Sequence, residues 1–411
     1  MKVAYFSPMP PEQTGIADYS ALLLPALRQR IDVEVVRHGA RKPPRGTDVA
    51  LYHVGNNPDA HAWIVDALRR EPGVVVLHDF VLHHLVAGMT LARGKRDAYL
   101  DLLEREHGLP GRLLGHAVME KRIPSLWETR SPDFPLATFV LDHATALVVH
   151  SAYVRDQARA AGFEGPISVV PHPAWTPPDI AAERVGGGVV VGCFGVVNAS
   201  KRIPELLSAT AAVRREHPEV TLLLVGPTSP GFDIERRLQR LGLADDGIVR
   251  EGWVDETRLW ELMAGSDVLV NLRHPTMGET SGSVIRGFSL GKPMVVSDVG
   301  WFAEIPADVA LKVPPDDVEV EALTAALELL ATRADVREAM GSAAADLARR
   351  EHDVDRVAEL YAAALERAAG GPSVDDAVLR EVSEAAADVG ISANTAEARE
   401  IARRLAEVEL G

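Results

Sequence analysis

The sequence predicts an α/β protein with two doubly wound, Rossmann-like domains that face each other across a central cleft, followed by a C-terminal helical extension. Short β-branched runs alternate with amphipathic helical stretches, and this pattern restarts once near the middle of the chain. Beyond about Val318 the sequence becomes helical and rich in alanine. Alternating strands and helices form right-handed βαβ units, and these units build parallel sheets.

The composition limits the classes of protein that the chain belongs to. It has 411 residues, of which 47% are hydrophobic and 25% charged, as in a soluble multidomain protein. The 43 Lys and Arg against 59 Asp and Glu give a formal net charge of −16. Such a surface argues against non-specific binding to nucleic acid or to an anionic membrane. The single cysteine, Cys193, excludes a disulfide framework and a cysteine-based zinc finger.

The sequence shows no signal peptide and no apolar run long enough for a transmembrane helix. We therefore expect a cytoplasmic protein with no transmembrane segment.

Eleven runs have the length and composition of strands and lack the polar alternation of half-exposed ones, as expected for a buried parallel sheet. The first series is Val3–Phe6, Val33–Val36, Val49–His53, Val74–Leu77, Ala146–Val149 and Ser168–Val170. The second series is Val189–Phe194, Val220–Val225, Ile248–Glu251, Val268–Leu272 and Met294–Ser297. Pro204–His217 is a typical intervening amphipathic helix.

The stretch from Pro171 to Gly188 holds four prolines and a triple glycine, which predicts a linker. The predicted domains are an N-terminal acceptor-side domain (1–175), a donor-side domain (176–350), a helix returning to the first domain (351–372) and an acidic helical extension (373–411). The extension carries nine acidic and four basic residues, with helices predicted over Val374–Asp388 and Thr395–Glu409. It is either a solvated packing element or a docking surface for a partner.

Several common sites are absent from the sequence or incomplete. No G-x-G-x-x-G follows a strand, and there is no G-x-S-x-G elbow. The segment from Gly287 to Pro293 is one residue short of a P-loop and has proline where Ser or Thr would bind magnesium. Asp353 and Asp355 have the spacing of a metal-binding pair, but a helix cap is the favoured interpretation.

Polar residues at strand ends are the candidates for chemistry in the first half. Gly15 follows the first strand and permits close approach of a ligand to the backbone, although an ordinary turn is the alternative. His78 and Asp79 end the fourth strand, on the ligand side of such a sheet. Because the nearby His83 and His84 are sequence neighbours, their side chains point about 100° apart on a helix, which weighs against a metal site.

The second half has basic and acidic candidates at the same kind of position. Lys201 and Arg202 open a helix, where positive charge is unfavourable unless an anion binds there, and ordinary surface charges are the alternative. Gly282 and Ser283 open another helix and offer backbone N–H groups to a diphosphate. Glu279, just before them, suits the hydroxyls of a sugar, with which a carboxylate makes strong hydrogen bonds.

In this order, and together with the Gly291-Lys292-Pro293 segment before Gly300, these pieces resemble the GT-B glycosyltransferases of family 4, a large retaining group. The resemblance implies that Glu279 contacts donor-sugar hydroxyls, that His78 lies near the reacting sugar, and that no divalent metal is needed. Asp79, beside His78 at the same strand end, is a further catalytic candidate. The resemblance also implies a donor diphosphate held by Gly15, Lys201, Arg202 and the amides of Gly282 and Ser283.

Two positions depart from the family pattern. The family has a second glutamate, normally the ribose contact, eight residues after the first. At that position this sequence has Gly287 or, if one residue is deleted, Arg286. Neither residue is acidic, so the sequence does not identify the residue that contacts the ribose. Val196 stands where many members carry a phosphate-binding arginine, and Arg202 or Arg273 is the candidate replacement.

The expected activity is a metal-independent, retaining transfer of a sugar from a UDP- or GDP-sugar to the hydroxyl of a glycan or small-molecule acceptor. The acceptor is expected along Val81–Arg130, and a cell-envelope glycan, an exopolysaccharide and a natural-product aglycone are the candidates. A non-catalytic binding protein of the same fold and a sugar-nucleotide epimerase are the alternatives.

Overall fold

The computed structural model describes residues 1–243 and 247–370, together with Thr395, Ala398, Glu400, Arg403 and Arg404. The predicted helix Val374–Asp388, and most of the predicted helix Thr395–Glu409, lie outside the described residues.

Two parallel six-stranded sheets form the framework, in the orders β2-β1-β3-β4-β5-β6 and β12-β11-β10-β7-β8-β9. The strands of the first sheet are β1 (Lys2–Phe6), β2 (Asp32–Val35), β3 (Val49–Val54), β4 (Gly73–Leu77), β5 (Ala144–Val149) and β6 (Ile167–Val169). Those of the second are β7 (Val190–Phe194), β8 (Thr221–Val225), β9 (Ile248–Glu251), β10 (Val268–Asn271), β11 (Met294–Ser297) and β12 (Ala310–Val313).

All eleven predicted strands are confirmed, and β12 is the strand that the sequence pattern missed. It is an edge strand of four residues with a central Lys312. The two sheets are joined by residues 170–189, which carry neither a helix nor a strand.

Helices cover both sheets. They are α1 (Gly15–Leu27), α2 (Pro58–Leu68), α3 (His83–Met89), α4 (Arg96–Met119), α5 (Leu126–Thr129), α6 (Thr138–Leu141), α7 (Ala152–Ala160), α8 (Ile203–Glu216), α9 (Ile234–Leu241), α10 (Glu256–Gly265), α11 (Gly282–Ser289), α12 (Gly300–Glu304), α13 (Glu319–Thr332), α14 (Ala334–Glu351) and α15 (Val354–Ala368). Within the described residues, no helix has both the length and the apolar character of a membrane span.

The helix α15 belongs to the core of the first sheet although it follows the second sheet in sequence. Asp353 caps it by accepting a hydrogen bond from the backbone N–H of Arg356 (2.9 Å), so the capping interpretation is confirmed. Its buried face packs with residues of β1 and α1. Within that contact the buried hydroxyls of Tyr19 and Tyr361 lie 2.6 Å apart and share a hydrogen bond.

The two halves touch beside the ends of β4 and β10. The N–H groups of Phe80 and Val81 donate to the carbonyl oxygen of Met277 (2.8 and 3.0 Å). Nearby, the carboxylate of Glu304 accepts hydrogen bonds from the N–H groups of Ala152 (3.0 Å) and Tyr153 (2.6 Å) at the start of α7. These contacts place the carboxyl edges of both sheets around one cleft.

Tyr361→Phe should lower the free energy of unfolding by about 1–3 kcal/mol, because it leaves the buried hydroxyl of Tyr19 without a partner. Tyr19→Phe should cost a similar amount. The double variant should lose less than the sum of the two, by about 1 kcal/mol, since neither hydroxyl then remains. Urea denaturation of the four proteins measures this coupling, and strictly additive losses would contradict the role of the hydroxyl pair.

Candidate functional site

A cavity of about 270 Å³ lies in the cleft between the carboxyl edges of the two sheets. The first half contributes Thr14, Gly15, Ile16, Tyr19, Asn56, Asn57, His61, His78, Asp79, His150, His172 and Trp175, and the second half contributes Glu279, Thr280, Gly282 and Arg286. Six of the residues predicted from the sequence therefore meet in one cavity: Gly15, His78, Asp79, Glu279, Gly282 and Arg286.

Two helices begin at the cavity. Thr14 caps α1 by accepting a hydrogen bond from the N–H of Ala17 (3.0 Å), and Gly15 is the first residue of that helix. In the second half α11 begins at Gly282, where an added Cβ would lie 3.4 Å from the ring of Trp175. Helix N-termini present free N–H groups and partial positive charge, so the cavity favours an anionic ligand.

The carboxylate of Glu279 holds the loop that precedes α11. It accepts hydrogen bonds from the hydroxyl of Thr276 (3.0 Å) and the N–H of Met277 (2.7 Å). Its Oε1 also lies 2.6 Å from Nε of Arg273, an ion pair whose nitrogen is not aligned for a hydrogen bond. Glu279 therefore meets the cavity with part of its hydrogen-bonding capacity already used.

Lys201 and Arg273 do not line the cavity but lie behind Glu279. Nζ of Lys201 donates to the carbonyl of Phe194 (2.7 Å), and burial together with the charge of Arg273 lowers the pKa of this lysine to about 8. Gly195, with φ at +110°, leaves room for the ammonium, since a Cβ there would lie 2.1 Å from Nζ. Two cations thus share one neighbouring carboxylate, which leaves surplus positive charge for a bound anion.

Asp79 lies across the cavity from Glu279. Burial, and after it the charge of Glu279, raise the pKa of Asp79 to about 7. The N–H of Asn56, which donates to Oδ2 (2.8 Å), and the charge of Arg273 act in the opposite direction. Near neutral pH this carboxyl group is therefore partly ionised. Its ionised form only accepts hydrogen bonds, and its protonated form also donates one.

Arg286 forms one wall of the cavity. Its guanidinium stacks 3.7 Å from the ring centroid of Trp175, and NH2 reaches Glu256 at 3.4 Å. Burial lowers the pKa of this arginine from its ordinary value. Nε is buried with no partner among the described residues, so the side chain retains hydrogen-bonding capacity.

Two predicted donor-binding residues point elsewhere. Arg202 precedes α8 and pairs with the buried carboxylate of Glu319, with Nε 2.9 Å from Oε2. The hydroxyl of Ser283 is held by the side chains of Asn271 (2.8 Å) and Ser281 (3.0 Å). His83, the sequence neighbour of His84, has both ring nitrogens paired, one with the carbonyl of Phe134 (2.8 Å) and one with the hydroxyl of Tyr99 (2.7 Å).

Several lining residues were missed by the sequence analysis, although each follows a strand of the first sheet. They are Asn56 and Asn57 after β3, His150 after β5, and His172 and Trp175 after β6. His61, on α2, was also missed. A systematic listing of polar residues just beyond every strand would have found His150 and the two asparagines, since ligands bind at this edge of parallel sheets.

A family model matches part of the chain. Residues 188–333 match the model described as "Glycosyl transferases group 1". The match covers the second sheet and includes Lys201, Arg273 and Glu279. No curated protein matches the chain.

Solved structures match almost the whole chain. HepE from Anabaena, in complex with UDP and glucose, is 16% identical with a TM-score of 0.61, covering 89% of this chain and 100% of its own. Sucrose-phosphate synthase from Thermosynechococcus elongatus is 16% identical with a TM-score of 0.57, and the match covers 88% of this chain and 97% of the synthase chain. WaaG, a glycosyltransferase involved in lipopolysaccharide biosynthesis, is 13% identical with a TM-score of 0.55, and the match covers 90% of this chain and 100% of the WaaG chain. The fold is therefore that of GT-B glycosyltransferases, as the sequence predicted.

Asp79→Asn should stabilise the protein progressively as the pH rises. The pKa of Asp79 is about 7 in the folded chain against an ordinary value of 3.8, so the stability of the wild type falls between about pH 4 and pH 7, where the unfolded chain has lost this proton and the folded chain still holds it. Asparagine still accepts the N–H of Asn56 but cannot ionise. Its effect on the free energy of unfolding should be more favourable at pH 8 than at pH 5 by on the order of 2 kcal/mol, measured by urea denaturation.

Asp48→Asn is the matched control, because Asp48 also accepts a backbone N–H, that of Lys2 (2.7 Å), but on the exposed surface. An equal effect of Asp79→Asn at both pH values would contradict the raised pKa.

Proposed function

We propose that this chain, whose residues 188–333 match the glycosyl transferases group 1 model, transfers a sugar from a nucleoside diphosphate sugar to an acceptor hydroxyl. One observation carries the proposal. A single cavity joins a positively charged part, formed by two helix N-termini and by Lys201 and Arg273 behind Glu279, to carboxylates that suit sugar hydroxyls. A nucleoside diphosphate sugar has the same two parts in the same molecule.

The diphosphate would lie at the start of α1 and α11. The backbone N–H groups near Gly15 and Gly282 would bind its oxygens, and Lys201 and Arg273 would neutralise its charge. Arg202 would have to leave Glu319, and the unpaired buried carboxylate would be costly, so Arg273 is the better candidate for the position of the family arginine. Ser283 would contribute its backbone N–H rather than its hydroxyl.

Arg286 and Trp175 would face the nucleoside. An aromatic ring with a stacked guanidinium offers a flat surface and hydrogen-bond donors. This pair would bind the ribose in place of the second glutamate of the family. The HepE structure contains UDP, and this favours UDP over GDP as the leaving nucleotide here.

The sugar would lie between His78, Asp79 and Glu279. As the bond between its anomeric carbon and the diphosphate breaks, the acceptor oxygen attacks from the same face, and the acceptor proton passes to the departing diphosphate. Configuration is then retained. Negative charge develops on the leaving group, where the fixed N–H groups and cations stabilise it without a divalent metal.

The first half, residues 1–175, would bind the acceptor, and residues 176–350 the donor. A second cavity of about 530 Å³ adjoins Phe80 in the first half and is lined in part by Arg105, Glu106 and His107 of α4. Its charged and polar side chains would bind the hydroxyls of a glycan acceptor. The fold shared with WaaG, named for lipopolysaccharide biosynthesis, favours a cell-envelope glycan.

Two alternatives have specific support. The missing second glutamate favours a non-catalytic binding protein, although the cavity and its cations are retained. Asp79 and Glu279 across the cavity would provide acid and base for an epimerase, which would convert the donor without an acceptor and release no nucleoside diphosphate.

Lys201→Ala should lower the rate of nucleoside diphosphate release from the best UDP- or GDP-sugar by about 10²-fold or more, since a buried positive charge that stabilises the leaving group is lost. Lys292→Ala is the matched control, because Nζ of Lys292 also donates to a backbone carbonyl, that of Ala264 (2.7 Å), away from the cavity. The assay detects the released nucleoside diphosphate. A Lys201→Ala rate within threefold of wild type, with the protein folded, would refute the assignment.

A further inference from the structure

Two imidazoles form a hydrogen bond in the floor of the cavity. Nδ1 of His53 lies 3.0 Å from Nε2 of His78, and the two rings stack with centroids 5.3 Å apart. His53 is completely buried on β3 and does not line the cavity, whereas His78 does. The bond therefore connects a residue that reaches no ligand to one that faces the proposed sugar.

Both rings are neutral near pH 7. Burial, followed by the charge of neighbouring His150, lowers the pKa of each well below the ordinary 6.5. A neutral imidazole carries one N–H and one lone pair, so the bond has two possible arrangements. Either His53 donates from Nδ1 to Nε2 of His78, or His78 donates from Nε2 to Nδ1 of His53.

The other nitrogen of His53 distinguishes the two arrangements. Nε2 of His53 is buried and has no hydrogen-bond partner in the part of the chain that the structure describes. If His78 were the donor, His53 would carry its proton on Nε2, as a buried N–H without an acceptor. Orphaned buried N–H groups are rare and costly, and a bare lone pair is the better tolerated alternative.

The neighbouring histidines adopt the same protonation pattern. Nδ1 of His61, His150 and His172 faces the carbonyl oxygen of His53 (3.1 Å), Val170 (2.8 Å) and Pro173 (2.7 Å), respectively. Since a carbonyl can only accept, each of these rings carries its proton on Nδ1. Their Nε2 atoms are therefore acceptors, and none of the three rings supplies a second N–H to a ligand.

We propose that His53 is a positioning residue that fixes His78 as the tautomer protonated on Nδ1. Nε2 of His78 is then occupied by the N–H of His53, and Nδ1, which has no partner among the described residues, is the nitrogen left for a ligand. His78 donates a hydrogen bond to a hydroxyl oxygen of the donor sugar and does not act as a proton acceptor. The identity of that ligand rests on the proposed function, whereas the tautomer does not.

The protonation state is visible by NMR without any substrate. The full chain is labelled with ¹⁵N-histidine, and two-bond ¹H–¹⁵N correlations are recorded at pH 7.5, with the signals of His78 assigned by their loss in His78→Gln. We expect a protonated Nδ1 and an unprotonated Nε2 in His78. A protonated Nε2 in His78 would overturn the proposal, whatever the protein is found to catalyse.

Two substitutions of His53 test its positioning role. His53→Phe keeps a ring but removes the donor, and His53→Asn places an amide N–H near the position of Nδ1. We expect His53→Phe to lower kcat about tenfold, the effect of one hydrogen bond, with the donor KM within twofold of wild type. In the NMR spectrum of this variant, His78 should no longer be held as the tautomer protonated on Nδ1. The kcat of His53→Asn should remain within threefold of wild type.

Equal losses in the two variants, with wild-type melting temperatures and an unchanged His78 spectrum in His53→Phe, would contradict the role of His53. A wild-type protein that turned over no nucleoside diphosphate sugar would instead refute the proposed function and leave the NMR result to decide the tautomer.

Discussion

The carboxylate of Glu279 is the interaction on which the cleft depends. It fixes the loop before α11 through Thr276 and the N–H of Met277, and it balances Arg273. The carbonyl of Met277 in turn accepts the N–H groups of Phe80 and Val81, directly after Asp79 in the other half. One side chain thus connects the cation pair, the start of a helix and the contact between the two halves.

The cleft has the opposite electrostatic character to the rest of the chain. The formal net charge of the protein is −16, yet Lys201, Arg273 and Arg286 gather around the cavity with two helix N-termini. The histidines in its floor are neutral because burial lowers their pKa values. Positive charge is therefore confined to one part of the cavity, and the floor offers uncharged hydrogen-bonding groups, as a ligand with one charged and one sugar-like part requires.

The sequence predicted the fold in detail because parallel strands buried on both faces leave continuous β-branched runs. It also placed Gly15, His78, Glu279 and Gly282 at the edge where the cavity lies, since loops that follow parallel strands gather at the carboxyl edge of the sheet. The pairing of Arg202 with Glu319 could not be predicted, because the partners lie 117 residues apart and meet only through the packing of α8 on α13.

The histidine floor shows the same limit. His53 and His78 are 25 residues apart, and their contact depends on β3 and β4 being neighbours in the sheet. His172 and Trp175 lie in the linker and line the cavity. The proline-rich composition of the linker predicts only a connection between domains and gives no sign that its residues reach the cavity. Sequence patterns locate residues along each strand, whereas the order of the strands decides which residues meet.

Binding of a nucleoside diphosphate to the cleft is the most direct test of this account. Thermal melting is compared with UDP, GDP, ADP, dTDP and CDP, each with magnesium and with a chelator. We predict that UDP or GDP stabilises the protein equally in both conditions, by about 2.7 kcal/mol at 100 times its dissociation constant. A shift that requires magnesium, or no shift with any of the five at millimolar concentration, would contradict a metal-independent donor site between the two sheets.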